Sequence, residues 1–448
     1  MLALHAPDPG VVVDHGRNVA PATGRCAGRA RSVVVENEVD DPRAVIGASC
    51  AGGAAPVARS AETGTHEPST LGGPADPCGG GTMRIVVTGA TGNIGTAVLR
   101  RLTRADHEVV GLARRVPLQQ VPLRAGTAGR PVVWIPTDLT RVGPAELAES
   151  FRGADAVVHL AWGFQPSHDV SRLEALGVGG TRLVAGAATA AGVPHLVHMS
   201  SVGAYSPRAD RGTSASRVPG VDESWPTDGV PTSPYSRHKA AAERLLDGAG
   251  ARDPDLTITR LRPGIVGQRA AGSALLRYGL PGVVPARALG WLPILPLDRR
   301  LAVPVVHAED VADAVERVLA RRPGGAFNLA AATPLTAAGI AAGLGARLVH
   351  VPAAALRPAM AAAWHLRLQQ VDAGWLDLAL AVPLLDCTRA RTELGWHPVT
   401  DALTVFREVV DGMRHGASGP TAVLRPRTVA GALGDALRRG PVGGRAQP

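Results

Sequence analysis

The chain predicts an α/β fold, a doubly wound parallel sheet with a smaller C-terminal lobe, and three observations carry that expectation. From Met83 onward short apolar strands alternate with helical segments, the pattern of a parallel sheet covered on both faces. The first strand runs into glycines at 89, 92 and 95 and then into an amphipathic stretch, Thr96 to Leu102. Further on, an apolar strand ends in Ser200-Ser201 and is followed by a helix that carries Tyr235 and Lys239.

The expected order is strand Arg84 to Thr88, helix Asn93 to Arg104, strand Glu108 to Ala113, strand Val132 to Pro136, helix Pro144 to Phe151 and strand Ala156 to Leu160. Helix Val170 to Ala191, strand His195 to Ser200, helix Tyr235 to Asp247 and strand Leu256 to Leu261 follow. Later segments, Val303 to Val306, Ala308 to Arg321, Ala326 to Leu329 and a helical region after Thr336, add outer strands and the lobe. Val351 to Pro383 is apolar but interrupted by Arg357, Arg367, Asp372 and Asp377, so it reads as packed helices rather than a membrane span.

The glycine turn reads Gly89-Ala90-Thr91-Gly92-Asn93-Ile94-Gly95. Gly89 permits the tight turn, Gly92 lets the backbone approach a pyrophosphate, and Gly95 allows close helix and strand packing, with the helix N-terminus supplying N–H donors. The strand before it and the helix after it are the context that gives such a turn meaning.

Lys239 is the one lysine in 448 residues; the other 46 of the 47 Lys+Arg are arginine. It follows Tyr235, one of three tyrosines, by four positions, and residues i and i+4 share a helix face. An ammonium about 4 Å from a phenol, at an effective dielectric near 20, is worth roughly 4 kcal/mol. At about 1.4 kcal/mol per pKa unit, that lowers the phenol by up to roughly three units and makes it a general acid/base. An isolated Tyr-x-x-x-Lys is more often an exposed helix face. Here the glycine turn and the serine-ended strand precede it in order.

That order, glycine turn, Ser, Tyr, Lys, resembles the short-chain dehydrogenase/reductase superfamily in its extended, epimerase/dehydratase-like branch, over about Met83 to Pro398. Asp138-Leu139, Val157 to Ala161, Arg262-Pro263, Val306 to Ala312 and Asp386 to Pro398 match further landmarks. The resemblance implies a Rossmann-type sheet in which Tyr235 is the acid/base, Lys239 lowers its pKa and holds the nicotinamide ribose, and Ser201 hydrogen-bonds the substrate oxygen. Ser201 is preferred to Ser200 because it stands four before Tyr205. It further implies dinucleotide contacts from Gly89, Thr91, Gly92, Asn93, Ile94 and Gly95, from Asp138 and Leu139 on the adenine side, from Leu160 and Ala161 on the nicotinamide side, and from Arg114. Homodimers are common in the resembled family.

Ala113, at the end of the second strand, stands where NAD users of the family carry Asp, and Arg114-Arg115 follow. Arginine accommodates a 2′-phosphate, so NADP is favoured over NAD; the bland alternative is surface charge in an arginine-rich chain. Val202-Gly203 replaces the Asp-Glu pair of sugar 4,6-dehydratases, which argues against dehydration. The reading is an NAD(P)-dependent epimerase or oxidoreductase of the resembled family, working by hydride transfer at a carbinol or keto carbon with Tyr235 as acid/base; epimerisation through a transient keto intermediate on a nucleotide sugar or related polyol leads. The alternatives are an NADP-dependent reductase of a small ketone or aldehyde, and a non-catalytic NADP redox sensor. Gly264 to Arg300 is rich in Gly, Ala, Leu and Pro and includes Gln268, Arg269, Arg277 and Tyr278; its arginines would suit a phosphate or carboxylate or be ordinary solvated positions, and an apolar pocket there would suit a steroid-like, terpenoid or aromatic ketone. His307 reads as a helix start, and His159 and His198 as structural.

Four domains are expected. Residues 1–82, Gly/Ala/Pro-rich, are read as disordered or as preceding a functional start at Met83. Residues 83–262 form the dinucleotide-binding domain, 263–415 the substrate lobe with returning sheet elements, and 416–448 a disordered basic tail. Pro207 to Pro231 is expected to be a surface loop that folds over the substrate. Four cysteines, three of them before residue 83, give neither a disulfide framework nor a metal spacing, so no metal is expected. The +9 net charge comes without a basic helix or aromatic platform, so no nucleic acid is expected, nor a membrane; the expected location is the cytoplasm.

Overall fold

A computed structural model describes residues 81–117, 130–164, 168–208, 219–279, 291–369 and 371–428. The expectations for residues 1–80 and 429–448 lie outside the described residues. Strands β1 (Arg84–Thr88), β2 (Glu108–Ala113), β3 (Val133–Pro136), β4 (Ala156–His159), β5 (His195–Met199) and β6 (Thr257–Pro263) come first. After them come β7 (Ile265–Gly267), β8 (Ile294–Leu297), β9 (Ala302–Val303), β10 (Val305–His307), β11 (Gly325–Leu329), β12 (Leu335–Thr336) and β13 (Arg347–His350). Seven strands form one parallel sheet in the order β11-β6-β5-β4-β1-β2-β3. The order reverses at β1, between β4 and β2, and ligands of open parallel sheets bind at the carboxyl ends of such a switch point.

Helices cover both faces, because the sheet strands are near-continuous Val/Ile/Leu runs with no wet side. On one face α1 (Asn93–Arg104) packs against α7 (Ala308–Arg321) through Val98, Leu102, Val315 and Leu319. On the other lie α2 (Pro144–Phe151), α3 (Val170–Glu174) with α4 (Gly180–Ala190), and α5 (Pro234–Arg252), burying Leu147, Phe151, Val184 and Leu246. The single helix expected over Val170 to Ala191 is interrupted by a π-turn at Ala175–Gly179. Glycines at 177, 179 and 180 weaken the regular helix there, and a Cβ on Gly177 would stand 3.0 Å from the Trp162 ring, so the widened turn makes room for that indole.

The C-terminal lobe holds α6 (Gly272–Gly279), α8 (Ala337–Leu344), α9 (Ala353–His365), α10 (Ala373–Ala381), α11 (Thr388–Leu394) and α12 (Ala402–Arg414). Three two-stranded pairings, β7 with β10, β8 with β13 and β9 with β12, complete it. Its own core joins Leu301, Val303, Val305, Leu335 and Val405. Among the described residues no helix is long and apolar enough to cross a membrane.

Two loop expectations differ from the structure. The described end of the insert, residues 219–231, is stitched to the fold rather than free over the substrate: Val221 exchanges backbone hydrogen bonds with Leu384 and Asp386, and the Glu223 carboxylate accepts from the Asn328 amide at 2.8 Å. The segment from Gly416 to Thr428, expected as the start of a disordered tail, packs down. Thr421 and Leu424 are buried, Leu424 lies on Ala271 and Ala274, and the Thr421 hydroxyl donates to the Thr91 carbonyl at 2.8 Å. Leu424 gives the segment an apolar anchor amid its polar neighbours.

Glu243 on α5 is a buried carboxylate that joins three elements. It accepts from Arg262 on β6 at 2.9 and 3.0 Å and from Ser200 at the end of β5 at 2.5 Å. Burial raises its pKa, but the Arg262 hydrogen bonds and charge outweigh that and hold it below the ordinary carboxylate range. A depressed carboxylate contributes stability above its unfolded pKa, about 4.3, that is lost as pH falls through the folded value. Glu243→Gln strands the Arg262 charge and is expected to destabilise the protein by about 3 kcal/mol, measured as a lower urea midpoint at neutral pH, with the difference from the parent shrinking in acid.

Candidate active site

The glycine turn sits at the switch point. Gly89 has φ +70° and its Cα lies so close to β4 that a Cβ would meet the Ala161 nitrogen at 2.6 Å, while one on Gly95 would meet the Gly89 carbonyl at 2.5 Å. These contacts let α1 start directly behind β1. Gly92 is the N-cap of α1 and no side chain caps it, so first-turn N–H donors, from Asn93 and Ile94 among them, are left to a ligand. Such a turn fits a dinucleotide pyrophosphate. Two predicted contacts have other partners: the Asn93 side chain donates to the Val266 carbonyl at 3.1 Å and accepts from Gln268 at 2.8 Å, and the Thr91 carbonyl takes the Thr421 hydroxyl. Leu160 donates its amide to the Thr88 carbonyl at 3.1 Å, which brings Ala161 against Gly89.

Ser201, Tyr235 and Lys239 converge beyond β5. Ser201 opens a short 3-10 turn, Val202–Ala204, its hydroxyl accepting from the Gly203 amide at 3.0 Å. Ser200 is committed to Glu243. Ser233 caps α5 and Pro234 begins it, which sets Tyr235 in its first turn. A Cβ on Gly203 would stand 2.9 Å from the Tyr235 ring, so the small residue lets the phenol lie against the serine turn.

Burial pushes Tyr235 up to about 12, with the Ser201 hydroxyl pulling the other way. Lys239, 2% exposed, donates to the Met199 carbonyl at 2.7 Å and lies 3.4 Å from the centroid of the Trp162 ring. Burial drives its ammonium well below the ordinary lysine range, with Glu243 opposing. Cation–π contacts of desolvated ammonium groups are worth about 2 kcal/mol, so the indole is a real competitor for this cation.

Beneath the lysine, His159 bridges Thr88 at 2.7 Å and Thr181 at 3.2 Å, with His198 5.3 Å away, and burial joined by the Lys239 charge keeps both imidazoles neutral. They are structural, as expected. His307 caps α7 by accepting from the Glu309 amide at 3.2 Å.

At the carboxyl end of β2, Ala113 is buried and Arg114 and Arg115 follow it. Burial lowers the Arg115 pKa, and the charges of Arg425 and Arg114 lower it further, so three guanidinium groups gather at this edge. Arg425 is the residue that sequence reasoning missed, because the segment holding it was read as disordered. Asp138 turns its carboxylate to the Thr140 amide at 3.0 Å and hydroxyl at 2.7 Å; burial opposes ionisation, but these bonds and the Arg114 charge hold it below the ordinary range. Leu139 is a core side chain.

The lobe's predicted polar ligands are engaged elsewhere. Gln268 donates to Asn93, Arg269 pairs with Asp411 at 2.8 Å, and Arg277 donates to the Val423 and Arg425 carbonyls; the Tyr278 side chain lies outside the described residues. What surrounds Tyr235 is aromatic: Trp162, Phe164 and Trp375 have ring centroids 6.4, 5.7 and 5.2 Å from it. Sequence reasoning named none of the three. Among the described residues no group of three His, Cys, Asp or Glu could hold a metal ion.

Residues 85–330 match the model of the NAD dependent epimerase/dehydratase family. A dTDP-6-deoxy-L-talose 4-dehydrogenase (NAD(P)(+)) of Kitasatospora kifunensis is 31% identical over 236 residues, 52% of this chain and 68% of that protein. An uncharacterized protein of Mycobacterium tuberculosis is 27% identical over 71% of this chain, which spans only 29% of that relative's length. Among solved structures, the Thermus thermophilus UDP-glucose 4-epimerase complex with NAD is similar at TM-score 0.53 and 22% identity, covering 74% of this chain and 99% of its own. The Stenotrophomonas maltophila UDP-glucose-4-epimerase with bound NAD is similar at TM-score 0.54 and 21% identity, covering 74% and 98%. These structural likenesses bear on the fold. With the family match over more than half its length, the glycine turn at the sheet's switch point and the Ser, Tyr and Lys side chains beside it, the chain belongs to the NAD dependent epimerase/dehydratase family.

Proposed function

We propose that the chain is an NAD(P)-dependent oxidoreductase that interconverts a carbinol and a ketone at Tyr235, with NADP as the preferred dinucleotide. The observation that supports it is the placement of Ser201 and Tyr235 together at the turn beyond β5, beside the crevice of the glycine turn: a Cβ on Gly203 would stand 2.9 Å from the Tyr235 ring and 3.4 Å from Ser201 Oγ. When bound, the nicotinamide supplies or accepts the hydride. Ser201 and Tyr235 then hold the substrate oxygen, and the phenol gives its proton to that oxygen on reduction or takes it on oxidation. A phenol held up near 12 is neutral at pH 7, which suits proton donation and the reductive direction. Lys239, fixed by Met199, orients the cofactor side of the cleft rather than ionising the tyrosine.

The Arg114, Arg115 and Arg425 cluster supports NADP, since a 2′-phosphate offsets the mutual repulsion of three guanidinium groups. The name of the Kitasatospora relative supports a dehydrogenase reaction at a carbinol carbon. A nucleotide-sugar substrate has less support here, because Gln268, Arg269 and Arg277 are bound within the chain.

Tyr235→Phe is expected to lower kcat at least a thousandfold while NADPH affinity, read by nicotinamide fluorescence, stays within a few-fold; retained turnover would overturn the acid/base assignment. The pH profile of ketone reduction discriminates too. A phenol at about 12 leaves kcat/KM without a falling limb from Tyr235 between about pH 7 and 10, whereas a lysine-depressed phenol places that limb near neutrality. Gly203→Ala, which crowds the tyrosine ring, is expected to cut kcat about tenfold or more with little change in cofactor binding. For the dinucleotide, Arg114→Glu and Arg425→Glu should each weaken NADPH at least tenfold and spare NADH; equal loss of both would remove the phosphate reading.

A further inference from the structure

We propose that the substrate of this site is a planar, apolar carbonyl compound of the aryl ketone class, held edge and face by the Trp162, Phe164 and Trp375 rings, rather than a sugar nucleotide. The inference rests on the oxidoreductase reading of Tyr235 and names its substrate class. The chain is poor in aromatics, with seven Trp, three Tyr and four Phe in 448 residues. Four of these fourteen meet at the acid/base. Trp162 and Phe164 follow β4, Tyr235 opens α5 and Trp375 comes from α10 in the lobe, so three separate stretches of chain deliver rings to one place.

Trp162 and Phe164 stand edge-on to Tyr235, at interplanar angles of 80° and 89°, while Trp375 lies tilted over it at 32°, with its centroid 5.3 Å from Phe164. Tyr235 and Trp375 rest on Val230, Leu378 and Ala381, yet Phe164 is 45% exposed and Trp162, Tyr235 and Trp375 are half-buried, so each ring keeps surface that a ligand can cover. Edge-to-face and offset-stacked partners are what an aromatic ligand seeks. A diphosphate needs the opposite lining, cationic forks with free donors, and the lobe's Arg269 and Arg277 are turned to Asp411 and to backbone carbonyls.

The test uses the full chain with 2-acetylnaphthalene and UDP-glucose as probes. Calorimetric titration of Tyr235→Phe with NADP present is expected to show saturable binding of the aryl ketone. Adding Trp375→Ala or the milder Phe164→Leu is expected to weaken it at least tenfold, while Trp134→Phe, on outer strand β3, does not. UDP-glucose is expected neither to bind nor to compete. The proposal is overturned if the aryl ketone fails to bind, if its affinity ignores Trp375 and Phe164, or if UDP-glucose displaces it. Ring-dependent binding without any NADPH consumption by the parent enzyme fails the oxidoreductase reading and leaves the substrate class standing. Ring-independent binding defeats the substrate class whether or not NADPH is consumed.

Discussion

The Glu243 carboxylate is the constraint around which the site is built. It is buried on α5, one helical turn beyond Lys239, and it ties that helix to β6 through Arg262 and to the end of β5 through Ser200. Those attachments fix the helix bearing Tyr235 against the strand end bearing Ser201. A buried charge is tolerated only with charged partners and filled lone pairs, and Arg262 continues the network to the Tyr205 hydroxyl at 3.0 Å, which donates to Asn328 at 2.6 Å. Strands β5, β6 and β11 are thus clamped at the carboxyl ends where the chemistry is placed.

The second constraint is the closeness of β1, β4 and α1. A parallel sheet makes a crevice wherever its strand order reverses, and glycine at 89 and 95 lets the backbone there close to distances that no Cβ would permit. The same crevice receives the C-terminal segment, whose Thr421 is bonded to the glycine turn. Residues 416–428 therefore link the glycine turn to α6 through Thr421 and Leu424. Arg425, next to that anchor, adds its charge near Arg115.

Between these two clamps Tyr235 is flanked by three aromatic rings. A phenol packed among Trp162, Phe164 and Trp375 stays protonated, and an ammonium roofed by an indole is satisfied without it. Burial is the larger influence on the Tyr235 phenol and pushes it up.

By itself the sequence determined the sheet, the glycine turn and the identity of Ser201, Tyr235 and Lys239 as candidates. These rest on local signals: apolar strand runs, glycines whose spacing follows one helix start, and an i, i+4 pair on one helix face. The fold decided what those residues touch. That Lys239 turns to Met199 and Trp162 depends on where β4 and β5 end, 80 and 40 positions away from the helix that carries it, and no local pattern records that. Trp375, Phe164 and Arg425 were invisible for the same reason, since a single aromatic or arginine carries no periodicity. The segment from 416 to 428 read as part of a disordered basic tail, and the tertiary contacts of Thr421 and Leu424 supply burial that no local pattern records.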